Sequence, residues 1–538
     1  VGSQTIRNPV LRGFNPDPSI CRVGDDYYMA TSTFEWFPGV QVHHSRDLVH
    51  WHLLTRPLDR VSQLNLRGVP ASCGVWAPCL SWDRGLFYLV YTIVYDVPAR
   101  HWQHVNFVVT APQITGPWSE PVQLNASGFD PSLFHDDDGR KYLVNMYYDG
   151  RGTGTCFAGI VLQEIDPVAL RLTGLAKKIW GGTALRVTEG PHLYKKDGWY
   201  YLVCAEGGTH FGHAVSVARS ADLWGPYETH PENPLLTSRD CPEYPFQKAG
   251  HASVVQTQQG EWYMAHLIGR PLRNPEFGDG NPQHRERMCI LGRETAIQKL
   301  VWPQGEWPQM AHGSRLPAQE VAAPELSAQP WPEPTELESF DAPTLRLPFQ
   351  TLREPFDANW GSLSARPGWL RLRGRNHLSS AFEQSLVARR VEHFTAEVAT
   401  CIDFSPQTFK QQAGLAAYYD ASSWYSLRIS RDDAGRRVLE LETSDVWKIQ
   451  SFPEATVVLP PAGSVVLAFC LDGPWMQFCW GPCETRLQPI GPKLNSTYLS
   501  DDAAGNMRFT GLFAALSCSD CESRSCFADF DWFRYCVG

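Results

Sequence analysis

The sequence predicts an all-β chain, a five-bladed β-propeller followed by a β-sandwich of the jelly-roll, concanavalin-like kind. Three observations carry that prediction. A motif recurs five times, short alternating strands sit between Gly/Asp turns with almost no helical periodicity, and the C-terminal third keeps the strand pattern but loses the repeat. The clearest copies of the motif are Gly13-Phe14-Asn15-Pro16-Asp17-Pro18-Ser19-Ile20 and Gly128-Phe129-Asp130-Pro131-Ser132-Leu133. Each runs through a turn into an aromatic-rich strand, Tyr27-Tyr28-Met29-Ala30 and Tyr142-Leu143-Val144. Weaker copies are Trp76-Ala77-Pro78-Cys79-Leu80, Glu189-Gly190-Pro191-His192-Leu193 and Gly250-His251-Ala252-Ser253-Val254. Aligned on the shared step, they place Asp17, Ala77, Asp130, Gly190 and His251 at one equivalent position. Several β segments per unit is the sequence form of a propeller blade.

In chain order, residues 1–305 form the propeller. The irregular loop Arg270 to Met288 follows the fifth copy, and Leu291-Gly292-Arg293-Glu294-Thr295-Ala296-Ile297-Gln298 supplies a further strand to the last sheet. Proline and glutamate accumulate over 306–334, which reads as a linker laid on the surface. Residues 335–538 carry strands such as Leu370-Arg371-Leu372 and Val465-Val466-Leu467-Ala468-Phe469 without a blade repeat, the pattern of a sandwich.

At 538 residues, 43% hydrophobic and 19% charged, the chain has material for more than one core. A net charge of −10 argues against a nucleic-acid partner, and no apolar run is long enough for a membrane-spanning helix. The 20 tryptophans serve blade packing, and those near the blade tops offer rings on which sugars stack. Fifteen cysteines are scattered. Cys518, Cys521 and Cys526, with Cys479 and Cys483 upstream, raise the question of zinc but do not form two CxxC pairs, so buried or reduced thiols are expected. The start shows no signal peptide, although a mature chain would have lost one; this favours a cytoplasmic over a secreted location. Oligomeric state is open, a homo-oligomer included.

The innermost strands of a propeller line its axis, so the residues at the repeated position converge there. Asp17, Asp130 and Glu189, one residue ahead of Gly190, then bring three carboxylates into one cavity with His251. Buried like charges are costly unless paired or used, and their proximity raises the pKa of at least one member, which suits a general acid. A lone Asp-Pro-Ser is an ordinary turn cap; two in equivalent blades beside an out-of-pattern glutamate point to catalysis. Two carboxylates flanking a sugar-sized cavity are what glycoside hydrolysis requires.

Nearly the whole chain resembles the glycoside hydrolase family 43 β-xylosidases of the branch with a C-terminal β-sandwich. The resemblance rests on NPVLRGFNPDPSI, ATSTFEWFPGVQVHHSRDLVHWHL, GFDPSLFHDDDGRKYLVNMYYD, TEGPHLY, AEGGT, GHAS and LGRETAIQK. It implies Asp17 as general base, Glu189 as general acid and Asp130 as the carboxylate that tunes and orients the acid. It further implies Phe34, Trp76 and Ala77 along the wall of the substrate site, Thr209 on its rim, and His251 near its floor. Arg293 would bind hydroxyls of the innermost sugar, and Phe509 would reach over from the sandwich to close the pocket; the loop Arg270 to Met288 is expected, from its length and position, as a second closing wall. No cofactor is required by this resemblance, and a calcium ion reached through water near His251 is an option it leaves. One departure is Cys79, where Trp-Ala-Pro is expected to continue with Asp. The implied activity is an inverting, exo-acting β-1,4-xylosidase releasing xylose from the non-reducing ends of xylo-oligosaccharides. An α-L-arabinofuranosidase activity, as side or main reaction, is the enzyme alternative, and a non-catalytic carbohydrate-binding propeller is the alternative from another class.

Overall fold

A computed structural model describes residues 4–152, 155–277, 286–332, 334–504 and 507–538. Five antiparallel sheets follow one another in the chain, four of them four-stranded and the fourth with a fifth short strand, Leu236–Thr237, added beside its third, and each is ordered from the axis outward in sequence order. Their innermost strands are Ser19–Val23, Gly74–Asp83, Ser132–His135, Glu189–Lys196 and Gln247–Gln256. Each touches the next, and the fifth touches the first, so the ring closes. Closure is reinforced by Thr5–Arg7, which pairs with Glu320–Ala322, and by Asn8, whose side chain exchanges hydrogen bonds with the backbone of Ile297 at 2.8 Å in both directions.

The repeated position has a backbone reason. Asp17, Ala77, Asp130, Gly190 and His251 all have positive φ, at 55°, 33°, 54°, 55° and 49°. In three blades the same step is a β-bulge, between Trp76 and Cys79, Glu189 and His192, and Gly250 and Ser253. A left-handed residue costs a non-glycine side chain roughly 1–2 kcal/mol. Four of the five blades bear that cost, and the bend it makes re-aims the side chain at the axis, the usual use of a bulge beside a functional site.

The C-terminal domain is two stacked antiparallel sheets. One of them takes its edge strand from the propeller: Trp36 and Phe37 of blade one pair with Leu352 and Thr351. Trp36 is fully buried and stacks on Phe513 at 3.6 Å, so a single apolar core runs from the blades into the sandwich. Gly292 and Gly511 allow the two backbones to meet, since a side chain on Gly511 would strike Leu291 O at 2.7 Å and Phe14 Cβ at 2.9 Å. Within 306–334, Gln309–Met310 is the outer strand of blade five and Glu320–Ala322 the partner of the N-terminus. This stretch is bound to the propeller, and its two- and three-residue edge strands are too short to show through a proline-rich composition.

All fifteen cysteines are free thiols. Among the described residues, the one acidic or thiol cluster close enough for a metal is Cys289, Asp501 and Asp502, and it does not include Cys518, Cys521 or Cys526. Lys248 Nζ already lies 2.8 and 2.7 Å from its two carboxylates. No helix among the described residues is long and apolar enough to cross a membrane.

Candidate active site

A cavity of about 180 Å³ opens where the five inner strands converge. It is small beside the roughly 300–1,000 Å³ of pockets for drug-sized ligands. Asp17, Phe34, Trp76, Asp130, Glu189, Thr209, His251, Arg293 and Phe509 all line it. Ala77 does not: it is buried behind the wall, where its backbone N–H donates to Ser32 Oγ at 2.8 Å.

Asp17 is the most heavily bonded carboxylate. Ser32 Oγ donates to its Oδ2 at 2.6 Å, Arg293 Nη1 donates to Oδ1 at 3.1 Å, and His251 Nδ1 stands 3.8 Å from Oδ1. Burial pushes its pKa upward, but Arg293, His251 and the Ser32 hydroxyl more than offset that and hold it below the ordinary value. Among the described residues Glu189 has no such partner. Burial, then the charges of Asp130 and Asp17, raise its pKa well above the usual carboxylate range, and Arg293 offsets this only in part. Asp130 accepts the Gly190 N–H at 3.0 Å, which fixes it against the residue that follows Glu189. Burial and the Asp17 charge push Asp130 up to about 8. Of the three carboxyls, Asp17 is thus the one held ionised at neutral pH, and Glu189 is held protonated. Two carboxyls with oppositely displaced pKa values form an acid–base pair.

Arg293 couples the two domains to this chemistry. Besides Asp17, it donates to Thr209 Oγ1 at 2.7 Å and to the backbone oxygen of Phe509 at 3.3 Å. Phe509, from the sandwich, packs on Phe34 and Trp76 with ring centroids 5.8 and 5.6 Å apart. Sequence reasoning missed the residue beneath this aromatic wall, Ser72. Its Oγ accepts the Phe509 N–H at 2.9 Å, its backbone oxygen accepts the Trp76 indole N–H at 3.0 Å, and its N–H donates to Glu35 Oε2 at 3.0 Å. Burial raises Glu35 to about 7 despite the Arg353 guanidinium nearby. Trp102, Phe157, Val187, His210 and Met507 were also missed; they lie on loops or strand ends around the cavity mouth, outside the repeated motif. The loop Arg270 to Met288 was expected as a second closing wall, and its residues 278–285 fall outside the described residues. Its described parts do not line the cavity; Asn274 and Glu276 instead bond to Asn495 of the sandwich.

A calcium ion beside His251 would have to draw most of its ligands from water. The titratable groups that interact with that ring are Asp17, Arg293, His192 and His213. The one carboxylate among them is taken by Arg293 and Ser32, and the rest are nitrogen donors or a cation, whereas calcium seeks six to eight oxygens.

Residues 6–308 match the family model "Glycosyl hydrolases family 43", and residues 338–536 match "Beta xylosidase C-terminal Concanavalin A-like domain". A xylan 1,3-β-xylosidase of Vibrio sp is 49% identical over 535 residues, covering 99% of each chain. The xylosidase/arabinosidase 43B of Humicola insolens is 46% identical over 98% of this chain and 97% of its own. The crystal structure of a xylan β-1,4-xylosidase from Bacillus halodurans C-125 superposes with a TM-score of 0.95 at 48% identity, covering 98% of this chain and 99% of its own.

Proposed function

The chain belongs to glycosyl hydrolase family 43, and on that premise we propose that it is an inverting, exo-acting β-1,4-xylosidase. One observation carries the reading: three blades bring Asp17, Asp130 and Glu189 to one small pocket, with Asp17 held ionised and Glu189 held protonated. Asp17 takes a proton from a water as that water attacks the anomeric carbon. Glu189 gives its proton to the departing glycosidic oxygen, and Asp130 holds the strand that carries Glu189 in place through Gly190. Arg293 and Thr209 bond hydroxyls of the terminal sugar, whose apolar face lies along Phe34, Trp76 and Phe509. Neither proton transfer calls on a metal or an organic cofactor.

The small cavity, roofed by Phe509, supports removal of one terminal residue at a time from short xylo-oligosaccharides. An α-L-arabinofuranosidase side activity is favoured by the 46% identity to the Humicola xylosidase/arabinosidase, and the Vibrio relative makes β-1,3-linked xylobiose a substrate to compare. The test is initial rates on β-1,4-xylobiose, β-1,3-xylobiose, nitrophenyl β-xyloside and nitrophenyl α-L-arabinofuranoside, before and after dialysis against a chelator. The β-1,4 substrate and the xyloside should lead, and chelation should change rates less than about twofold. A dominant arabinofuranoside rate, or no hydrolysis of any substrate, contradicts the reading.

A further inference from the structure

The sandwich segment that leads to Phe509 is tied to the propeller by a buried ion pair. Lys248 lies in the innermost strand of blade five, three residues before His251, where the pairing register shifts between Gln247 and Gly250. Its φ is 57°, a left-handed conformation that is costly for a residue with a side chain, and an irregular register re-aims that side chain. The stem passes Gly269, where a Cβ would come within 3.1 Å of Lys248 Cδ and 2.9 Å of Cys289 Sγ. The fully buried ammonium ends 2.8 Å from Asp501 Oδ2 and 2.7 Å from Asp502 Oδ1, both in the sandwich.

The two aspartates are not equivalent. Asp502 uses both oxygens, Oδ1 for Lys248 and Oδ2 for the Cys289 N–H, which donates to it at 2.9 Å. Burial and the charge of Asp502 push Asp501 up to about 7, whereas for Asp502 the effect of burial is outweighed by Lys248, which holds it below the ordinary value. Asp502 is thus the firm counter-charge of Lys248. Both strips that it joins run into the active site. Phe509 follows Asp502 by seven residues, and Arg293 follows Cys289 by four. The two strips meet again where the Leu512 N–H donates to Ile290 O at 2.9 Å and where Arg293 donates to Phe509 O at 3.3 Å.

We propose that Lys248 and Asp502 are positioning residues for the reaction: the pair fixes the sandwich segment against the strip from Cys289 to Arg293 and so sets where Phe509 closes over the terminal sugar. This rests on the reading of Phe509 as the roof of the sugar site. Neither residue lines the cavity, so the pair acts through Phe509 and not on the sugar itself.

Asp502→Asn tests it, because an amide has one oxygen and cannot accept from both Lys248 and the Cys289 N–H. Steady-state kinetics on xylobiose are compared for the unmodified chain, Asp502→Asn, Phe509→Ala and the double variant. Asp502→Asn should raise KM about three- to tenfold with kcat within about twofold. On the Phe509→Ala background it should raise KM less than about 1.5-fold, since a pair that acts through Phe509 then has no ring left to place. Should Asp502→Asn not fold, Lys248→Met combined with Asp502→Asn, which removes both buried charges together, takes its place with the same expectation. An unchanged KM in the folded variant, a loss confined to kcat, or an equal rise in KM on both backgrounds overturns the proposal. A Phe509→Ala enzyme with unchanged KM would remove the roof itself, and the proposal with it.

Discussion

Replacing Phe509 by alanine tests whether the sandwich domain is part of the active site. The ring is 8% exposed, packs on Phe34 and Trp76, and has the Arg293 guanidinium 5.4 Å from its centroid. Its main-chain anchors to Ser72 and Arg293 survive the change, so the segment should stay in place. If the ring shields roughly 50 Å² of apolar sugar and pocket surface, about 25 cal/mol per Å² gives ~1.3 kcal/mol, close to a tenfold loss in kcat/KM. That loss should appear mainly in KM, because the Asp17 and Glu189 environments are set by Arg293, Asp130 and burial. The assay is steady-state kinetics on xylobiose across pH, with products from xylotriose and xylan followed in parallel. Both limbs of the pH profile should stay within about half a unit of the unmodified enzyme. A KM within twofold, or a shifted pH limb, would show that Phe509 is packing alone. Early xylobiose from xylan by the unmodified protein would show an open cleft and refute the exo reading.

Glu189→Gln should abolish release from xylobiose, a loss of 10²–10⁴-fold or more at roughly the scale of lost general acid catalysis. Activity on an activated aryl xyloside should fall much less, and equal losses on both would remove Glu189 from the acid role. Glu35 offers a stability test with a defined sign. Its folded pKa of about 7 lies above the unfolded 4.5, so the folded state binds more protons between those values and stability falls as pH rises through that window. The full penalty, up to about 3 kcal/mol at 1.36 kcal/mol per pKa unit, is present above pH 7. Glu35→Gln should remove it while keeping an acceptor for Ser72 N–H, so the variant's denaturation midpoint should gain on the unmodified protein's from pH 5 to 8. A difference independent of pH would place the ionised carboxylate at no disadvantage.

Much of this molecule was legible because its repeated element is also its functional one. The aligned positions Asp17, Ala77, Asp130, Gly190 and His251 share a left-handed backbone, a local feature that leaves a local signature. Glu189 was readable as the residue ahead of an equivalent glycine. The pairing of Trp36 and Phe37 with Leu352 and Thr351 was not, because a two-residue strand has no periodicity and its partner lies more than three hundred residues away. Ser72 and Glu35 escaped for a related reason. Their roles are hydrogen bonds between segments distant in the chain, Ser72 with Phe509 of the sandwich and with Glu35 of blade one. Ala77 marks the limit of the equivalence: its backbone follows the others, but a methyl group cannot reach past Ser32 into the pocket.

The division of labour between an ionised Asp17 and a protonated Glu189 is tested most directly by the anomer first released. Proton NMR of fresh xylobiose hydrolysis, recorded before mutarotation, should show the xylose cleaved from the non-reducing end as the α anomer, since a water activated by Asp17 attacks opposite the departing oxygen. Initial β-xylose from that end would mean retention through a covalent intermediate, and Asp17 could not then be the base.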